Sequence, residues 1–386
     1  MAGTKKPDDF RELISPFLRQ KIAEAEQAYG SGSVEVRALT KQYHKDTLES
    51  VVRSNERRRH YESEVKMQFE GRPLVGIERL YRRTILIEPT TVCAAHCRWC
   101  LRGQYPIKTM TEQDISHATQ YIGSKELRDD IEEVLITGGD PMMAPALLAL
   151  TLGELRRNAP NVHTVRIGTR VPFQDPRRIK DELIEIFQRY TGFRFEAGVN
   201  VNHPVEFWPD AVAAVKRLQD AGFHVYNQHP LLKGVNDNFE TLAQLYQLLR
   251  KHNIEAHYLF HAIPLRGMNH HRTSLRRGLE LAAQISSCGE FSGRAKPRYA
   301  VLSDIGKIVL YHGVILKHRA EDNALLLQSG FKLEDRLRWN PAWPIPDSVE
   351  IDDNGYMRTW YLDGTDDEVE QDVSRAPSQQ VIKLVK

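Results

Sequence analysis

The stretch TILIEPTTVCAAHCRWCLRG, residues 84–103, decides the reading. It opens on TILIE, 84–88, a short β-branched apolar run that reads as a buried strand. Just past it Cys93, Cys97 and Cys100 stand in C-x3-C-x2-C spacing. The chain has only four cysteines, and Cys288 stands apart as a structural thiol in a helix, so the trio reads as reduced metal ligands rather than as a disulfide framework. Two sites suit the spacing. One is a 4Fe–4S cluster in which three protein ligands leave one iron open; the other is a structural zinc completed by His96.

Outward from that segment, EVLIT (133–137), TVRIGT (164–169), FRFEAGVNV (193–201), HVYNQH (224–229) and AHYLFHA (256–262) repeat the strand type, giving six strands with the first. Helical patterns fall between and after them: Pro145–Arg157, Pro209–Asp220 closed by Gly222, Phe239–His252 started by Asn238, and Arg272–Ser287. Strands alternating with helices imply parallel pairing through right-handed crossovers, hence an α/β barrel or a doubly wound sheet. Polar residues gather at the C-terminal strand ends: the cysteine loop, Gly138 to Asp140, Arg170, Asn202 with His203, Gln228 and His261. Active sites form at that end of parallel α/β folds.

The flanks differ in pattern. Residues 1–83 read as a helical region, with Asp8 or Asp9 capping a helix from Phe10 to Ala28 that Gly30 and Gly32 end, and a second helix from Lys45 to Phe69. Its basic run RSNERRRH, 53–60, reads as a solvated helix face rather than a binding arm. Past Gly289 come two strand-like runs, RYAVL and KIVLYHG, a segment with Trp339, Pro341, Trp343, Pro344 and Pro346, and an acidic end after Asp363. The division expected is therefore 1–83, a barrel over 84–290, and a C-terminal extension over 291–386.

Charge is balanced, 53 Lys and Arg against 51 Asp and Glu, so no large field draws the chain onto nucleic acid and a small substrate is expected. The polar start from Met1 to Arg11 and the lack of an apolar run near the roughly 18 residues of a membrane span give a cytoplasmic expectation with no membrane partner.

The strand EVLIT leads into Thr137-Gly138-Gly139-Asp140-Pro141, where bare glycine backbone can approach a ligand amine. With it the chain carries VRIGTRVP (165–172), VNVNHPVEFWP (199–209), NQHPLLKGVND (227–237) and GMNHHRTSLRRGLE (267–280), in the order found in one family. From about Leu80 to Lys307 the sequence resembles the radical S-adenosylmethionine superfamily and, within it, the lysine 2,3-aminomutase family. The resemblance implies a partial (β/α)6 TIM-like barrel of the radical SAM type, with the cluster loop after its first strand. It implies that Cys93, Cys97 and Cys100 hold a 4Fe–4S cluster whose open iron binds S-adenosylmethionine by its amino and carboxylate groups, so that electron transfer breaks a carbon–sulfur bond.

By the same resemblance Gly138, Gly139 and Asp140 lie at the amino group of that cofactor, and Arg170, His203 and Gln228 line it; ordinary strand-end hydrogen bonding is the bland alternative for the last three. Arg102 matches the arginine that grips a substrate carboxylate, a task for a planar bidentate donor. The aminomutases also use pyridoxal 5′-phosphate held by a lysine after the barrel, for which Lys307 in SDIGKIVLYHG is the candidate, although only Gly306 precedes it where the family has a glycine run. Arg79, Arg82 and Arg83 are candidates for its phosphate, and a surface lysine beginning a strand is the alternative for Lys307.

Where lysine-specific members carry an aspartate for the distal ammonium, this chain has Ile263 in HAIPLRGMN, and the second family aspartate aligns with Leu302 or, with a gap, Asp304. A buried ammonium without a carboxylate is costly, so lysine itself is not the expected substrate. The expectation is an isomerase that moves an amino group from the 2- to the 3-position of another amino acid. It would draw electrons from a reductant such as flavodoxin or ferredoxin and assemble as a homo-oligomer. The alternatives are a radical enzyme that modifies an amino acid, peptide or protein residue without pyridoxal phosphate, and a non-catalytic iron–sulfur or zinc protein that keeps the scaffold.

Overall fold

The computed structural model describes residues 10–51, 67–101, 109–291, 293–311 and 313–366. A nine-stranded sheet forms its centre. In chain order the strands are β3 (Ile77–Glu78), β4 (Thr84–Thr90), β5 (Glu133–Gly138), β6 (Thr164–Thr169), β7 (Arg194–Val199), β8 (His224–Leu231), β9 (Glu255–His261), β10 (Arg298–Ser303) and β11 (Gly306–Val309), after a small hairpin of β1 (Gln68–Phe69) and β2 (Arg72–Pro73). Neighbours in sequence are neighbours in the sheet, from β3 at one edge to β11 at the other. Strands β4 to β10 run parallel, and β3 and β11 close the edges antiparallel. The sheet curls into the half-barrel that the sequence implied, and it extends past residue 290, because β10 pairs in parallel with β9.

The crossovers are α3 (Glu112–Ile122), α4 (Pro145–Asn158), α5 (Asp181–Gln188), α6 (Pro209–Asp220) and α7 (Phe239–Lys251), with α8 (Leu275–Ser287) leading to β10. Their apolar faces pack on the convex side, where Ile85, Ile87, Val134, Ile136, Val165 and Ile167 are all but fully buried against Ile115, Leu148 and Leu152. Each such side chain contributes about 1.5–3 kcal/mol on leaving water, which sets the register of every strand. The alternate residues point into the concave side. There Arg166 donates to Glu133 at 2.7 Å and to the Tyr226 hydroxyl at 2.9 Å, a polar filling near the N-terminal strand ends.

The N-terminal region differs from expectation. Helix α1 spans Pro16–Tyr29 and α2 spans Val34–Tyr43. The first begins six residues later than its pattern suggested, because Ser15 caps it by accepting from Leu18 N at 3.1 Å and Pro16 fits the first turn. The expected helix over 45–69 is not formed in its described parts: Thr47–Ser50 is one 3-10 turn capped by Asp46, and Gln68–Phe69 is strand. The run 53–60 lies outside the described residues.

At the other end β12 (Ile315–Arg319), β13 (Ala324–Lys332), β14 (Val349–Ile351) and β15 (Tyr356–Leu362) form a separate antiparallel sheet. It docks on the barrel through Tyr361, 2.9 Å from His261 Nδ1, and through buried Arg272, which donates to the carbonyls of Leu362 and Asp363. Among the described residues no helix is long and apolar enough to cross a membrane.

Candidate active site

Where β4 ends, the chain turns into the cysteine loop, and the end of β5 is bonded to it. Gly139 N donates to Thr90 O and Asp140 N to Val92 O, each at 2.7 Å. That closeness explains the Gly-Gly pair. A Cβ on Gly139 would lie 2.5 Å from Val92 O and Thr91 C, and one on Gly138, whose φ is +111°, 2.6 Å from Thr90 O. The bare backbone therefore meets the cysteine segment first.

Cys93, Cys97 and Cys100, none in a disulfide, line one cavity of about 660 Å³ at the C-terminal strand ends. Gly138 to Asp140, Arg170, Asn200, Gln228 and Phe260 line it too. Burial pushes the Cys93 thiol up, and Cys100, Asp140 and Cys97 push it further, so this sulfur needs a cationic partner to ionise. Among the described residues no three His, Cys, Asp or Glu side chains, the three cysteines included, lie close enough together to hold a single metal ion. His96 lines the same cavity; it donates from Nδ1 to Arg11 O at 2.7 Å and its ring stacks on Phe10. Three thiols facing one shared volume are the donor set a cluster with an open iron takes.

Asp140 is saturated by the protein. It accepts from Thr169 Oγ1 at 2.9 and 3.0 Å, from the backbone of Arg170 and Val171 at 2.7 and 3.1 Å, and from Met142 N at 3.1 Å. Burial raises it to about 6 despite those donors. Its carboxylate thus ties the end of β5 to the end of β6. Arg170 is equally occupied, donating to Cys97 Sγ at 2.9 Å, Asn200 O at 3.0 Å, Gln42 Oε1 at 2.5 Å and Glu206 Oε2 at 2.9 Å. Its guanidinium lies 5.0 Å from both the Tyr43 and the Trp99 rings.

Gln228 lines the cavity, but His203 does not. The His203 ring accepts from Val205 N at 3.2 Å and its backbone donates to Glu206, an N-cap for the turn that Pro204 starts. This is the strand-end hydrogen bonding that was the bland alternative. Arg102 lies outside the described residues. Arg79 and Arg82 pair with Asp130, and Arg83 with Glu132, away from the cavity, so they are not placed for a phosphate there.

Lys307 projects from β11 with its Nζ 4.0 Å from the Tyr258 ring centre and 5.4 Å from that of Phe260. Burial, with help from Arg166, lowers its amine to about 8. Its strand partner Leu302 and Phe260 both line the cavity, as does Ile263. Asp304, the gapped alternative, accepts from Ser348 Oγ at 2.6 Å and lines a smaller adjoining pocket. Leu265 is buried and Arg266 exposed, and neither lines the cavity.

The sequence reading missed Asn200, Gln174, Phe10 and Arg11 as lining residues. Asn200 had a signal, since it follows Gly198 at a spacing of two on the concave face. The N-terminal residues had none, because only the tertiary fold brings them there.

Comparison with known proteins agrees with this geometry. The family description Radical SAM superfamily matches residues 87–246. A protein of Aquifex aeolicus provisionally named L-lysine 2,3-aminomutase is 32% identical over 260 residues, 64% of this chain and 68% of that one. The L-lysine 2,3-aminomutase of Methanococcus maripaludis is 32% identical over 60% of this chain and 53% of its own. The glutamate 2,3-aminomutase of Clostridioides difficile is 32% identical over 59% and 53%. The chain thus spans between about half and two thirds of the length of these relatives. On the motif, the half-barrel and these likenesses together, the chain belongs to the radical S-adenosylmethionine superfamily and, within it, to the lysine 2,3-aminomutase family.

Proposed function

We propose that this radical S-adenosylmethionine enzyme is a 2,3-aminomutase acting, with pyridoxal phosphate on Lys307, on an amino acid other than lysine. The observation that carries the reading is the Lys307 amine. It is lowered to about 8 by burial and lies 4.0 Å from the Tyr258 ring centre and 5.4 Å from that of Phe260; Lys307 does not itself line the cavity of the three cysteines, but Phe260 does. An amine that gives up its proton near pH 8, rather than near the ordinary 10.5, is free in part at mildly basic pH, which fits a covalent partner for the cofactor's aldehyde.

When bound, the cluster with S-adenosylmethionine supplies a 5′-deoxyadenosyl radical, and pyridoxal phosphate supplies a path for the migrating nitrogen. The chain's own residues do the rest. Cys93, Cys97 and Cys100 hold the cluster. Since the Asp140 carboxylate is saturated, the backbone of Gly138 to Asp140 offers the contacts to the cofactor's amino group. Arg170 holds Cys97, and Arg102 is the candidate for the substrate carboxylate. Phe260, Ile263 and Leu302 form an apolar wall that excludes water and offers no carboxylate to a distal ammonium.

The relatives leave the substrate open, since lysine and glutamate enzymes are equally similar. The apolar wall supports a neutral or aromatic side chain, or an acidic one whose charge reaches solvent or a residue outside the wall. A reaction independent of pyridoxal phosphate is favoured by one feature: Arg79, Arg82 and Arg83 are all paired with acids away from the cavity. Borohydride reduction of anaerobically reconstituted protein, followed by peptide mapping, separates the two. A pyridoxyl adduct on Lys307 supports the aminomutase, whereas full iron and sulfide with no adduct overturns it in favour of the second reading.

A further inference from the structure

The described part of the N-terminal region, residues 10–51, precedes the stretch matched to the superfamily, yet it bonds to the cysteine loop at several points. Arg98, between Cys97 and Cys100, has no exposed surface and meets the buried carboxylate of Glu49 at two points, Nε to Oε1 at 2.8 Å and Nη2 to Oε2. The same guanidinium donates to the carbonyls of Phe10 and Arg11 at 3.2 and 3.4 Å and packs 4.6 Å from the Phe10 ring centre. The loop backbone is held as well, by Arg98 N to Gln42 O at 3.1 Å and His96 N to Leu13 O at 2.8 Å.

A second path runs through the Gln42 side chain. Its oxygen accepts from Arg170 Nη2 at 2.5 Å and Asn202 Nδ2 at 2.7 Å, and its nitrogen donates to Glu206 Oε1 at 3.2 Å. Arg170 in turn donates to Cys97 Sγ. A buried ion pair contributes little net stability for the desolvation it demands, so its presence inside a ligand loop points to placement.

We propose that Glu49 and Gln42 are positioning residues for the metal centre, Glu49 acting through Arg98 on the loop between two ligands and Gln42 acting through Arg170 on the Cys97 sulfur. The inference rests on the reading that the three cysteines hold a 4Fe–4S cluster. It gives the N-terminal region a part in holding and tuning that cluster, because hydrogen bonds and charge at the ligating sulfurs set the potential.

The test uses full-length wild type, Glu49→Gln, Glu49→Gln with Arg98→Gln, and Gln42→Glu, all reconstituted anaerobically. Bound iron and sulfide, the rate of iron release to a chelator, and the midpoint from an EPR-monitored titration are measured. Glu49→Gln strands a buried cation beside the ligands, so iron release should quicken on the order of 10-fold or more and the midpoint should rise. The double variant, with that charge removed, should recover part of the retention. Gln42→Glu adds negative charge against Arg170 and should lower the midpoint. Wild type that takes up no iron and sulfide overturns the cluster reading and this inference with it. Loaded wild type with Glu49→Gln and Gln42→Glu unchanged in release rate and midpoint, even if their melting temperatures fall, overturns the positioning role alone.

Discussion

Replacing Gly139 with alanine tests how the cofactor end of the barrel is built. The added Cβ would lie 2.5 Å from Val92 O and Thr91 C and 2.6 Å from Val92 N, about 0.9 Å short of the 3.4 Å where ordinary contact begins. Every atom it meets is backbone, and the two segments are clamped by paired 2.7 Å bonds, Gly139 N to Thr90 O and Asp140 N to Val92 O. The strain cannot pass to a side-chain rotamer, so it must move the peptide next to Cys93. We expect a cost at the upper end of the about 1–3 kcal/mol typical of overpacking. We also expect iron loading to fall, since a displaced ligand weakens the site. Gly153→Ala is the control: its Cβ meets only the Tyr190 hydroxyl at 3.1 Å, and alanine favours a helix. Urea unfolding of the cluster-free proteins and iron and sulfide content of the reconstituted ones measure both effects. A Gly139→Ala variant within about 0.5 kcal/mol of wild type and with full iron content would refute the reasoning.

Other consequences follow from individual groups. Lys307→Ala should abolish any borohydride-trapped pyridoxyl adduct while leaving iron and sulfide content unchanged, as peptide mapping and metal analysis would show. Because burial lowers the Lys307 amine to about 8 from an ordinary 10.5, the unfolded chain holds more protons between those values. The contribution of Lys307 to stability should therefore rise with pH across that interval, and Lys307→Met should flatten the slope in urea melts. Asp140→Asn turns an amide toward donors that need an acceptor, and should cost about 1–3 kcal/mol in the same assay. Ile263→Asp places a carboxylate on the apolar wall, and L-lysine binding by calorimetry should become measurable where wild type shows none.

The barrel was legible because parallel strands buried on both faces carry contiguous β-branched runs. TVRIGT is strand over the residues expected, and the other five agree to within one or two residues at most ends. The cysteine loop and the Gly-Gly turn were legible as local chemistry. What failed depended on competing local signals or on distant contacts. Ser15 followed by Pro16 marks a helix start that the acidic residues upstream obscured. The resemblance implied His203 as a residue lining the cofactor, and nothing local showed that, next to Pro204, its ring also caps a turn. Nothing local in Gln42 or Glu49 announces a partner in the cysteine loop, because Arg98 and Arg170 reach them only through the tertiary fold.

The most direct measurement is the reductive cleavage of S-adenosylmethionine. Anaerobically reconstituted wild type given dithionite and S-adenosylmethionine should release 5′-deoxyadenosine and methionine, quantified by chromatography, and Cys93→Ser, Cys97→Ser and Cys100→Ser should each release none. Wild type carrying a full complement of iron and sulfide, yet forming no 5′-deoxyadenosine above the level of those variants with or without amino acids, would contradict the assignment of the cysteine cavity as a radical-generating site.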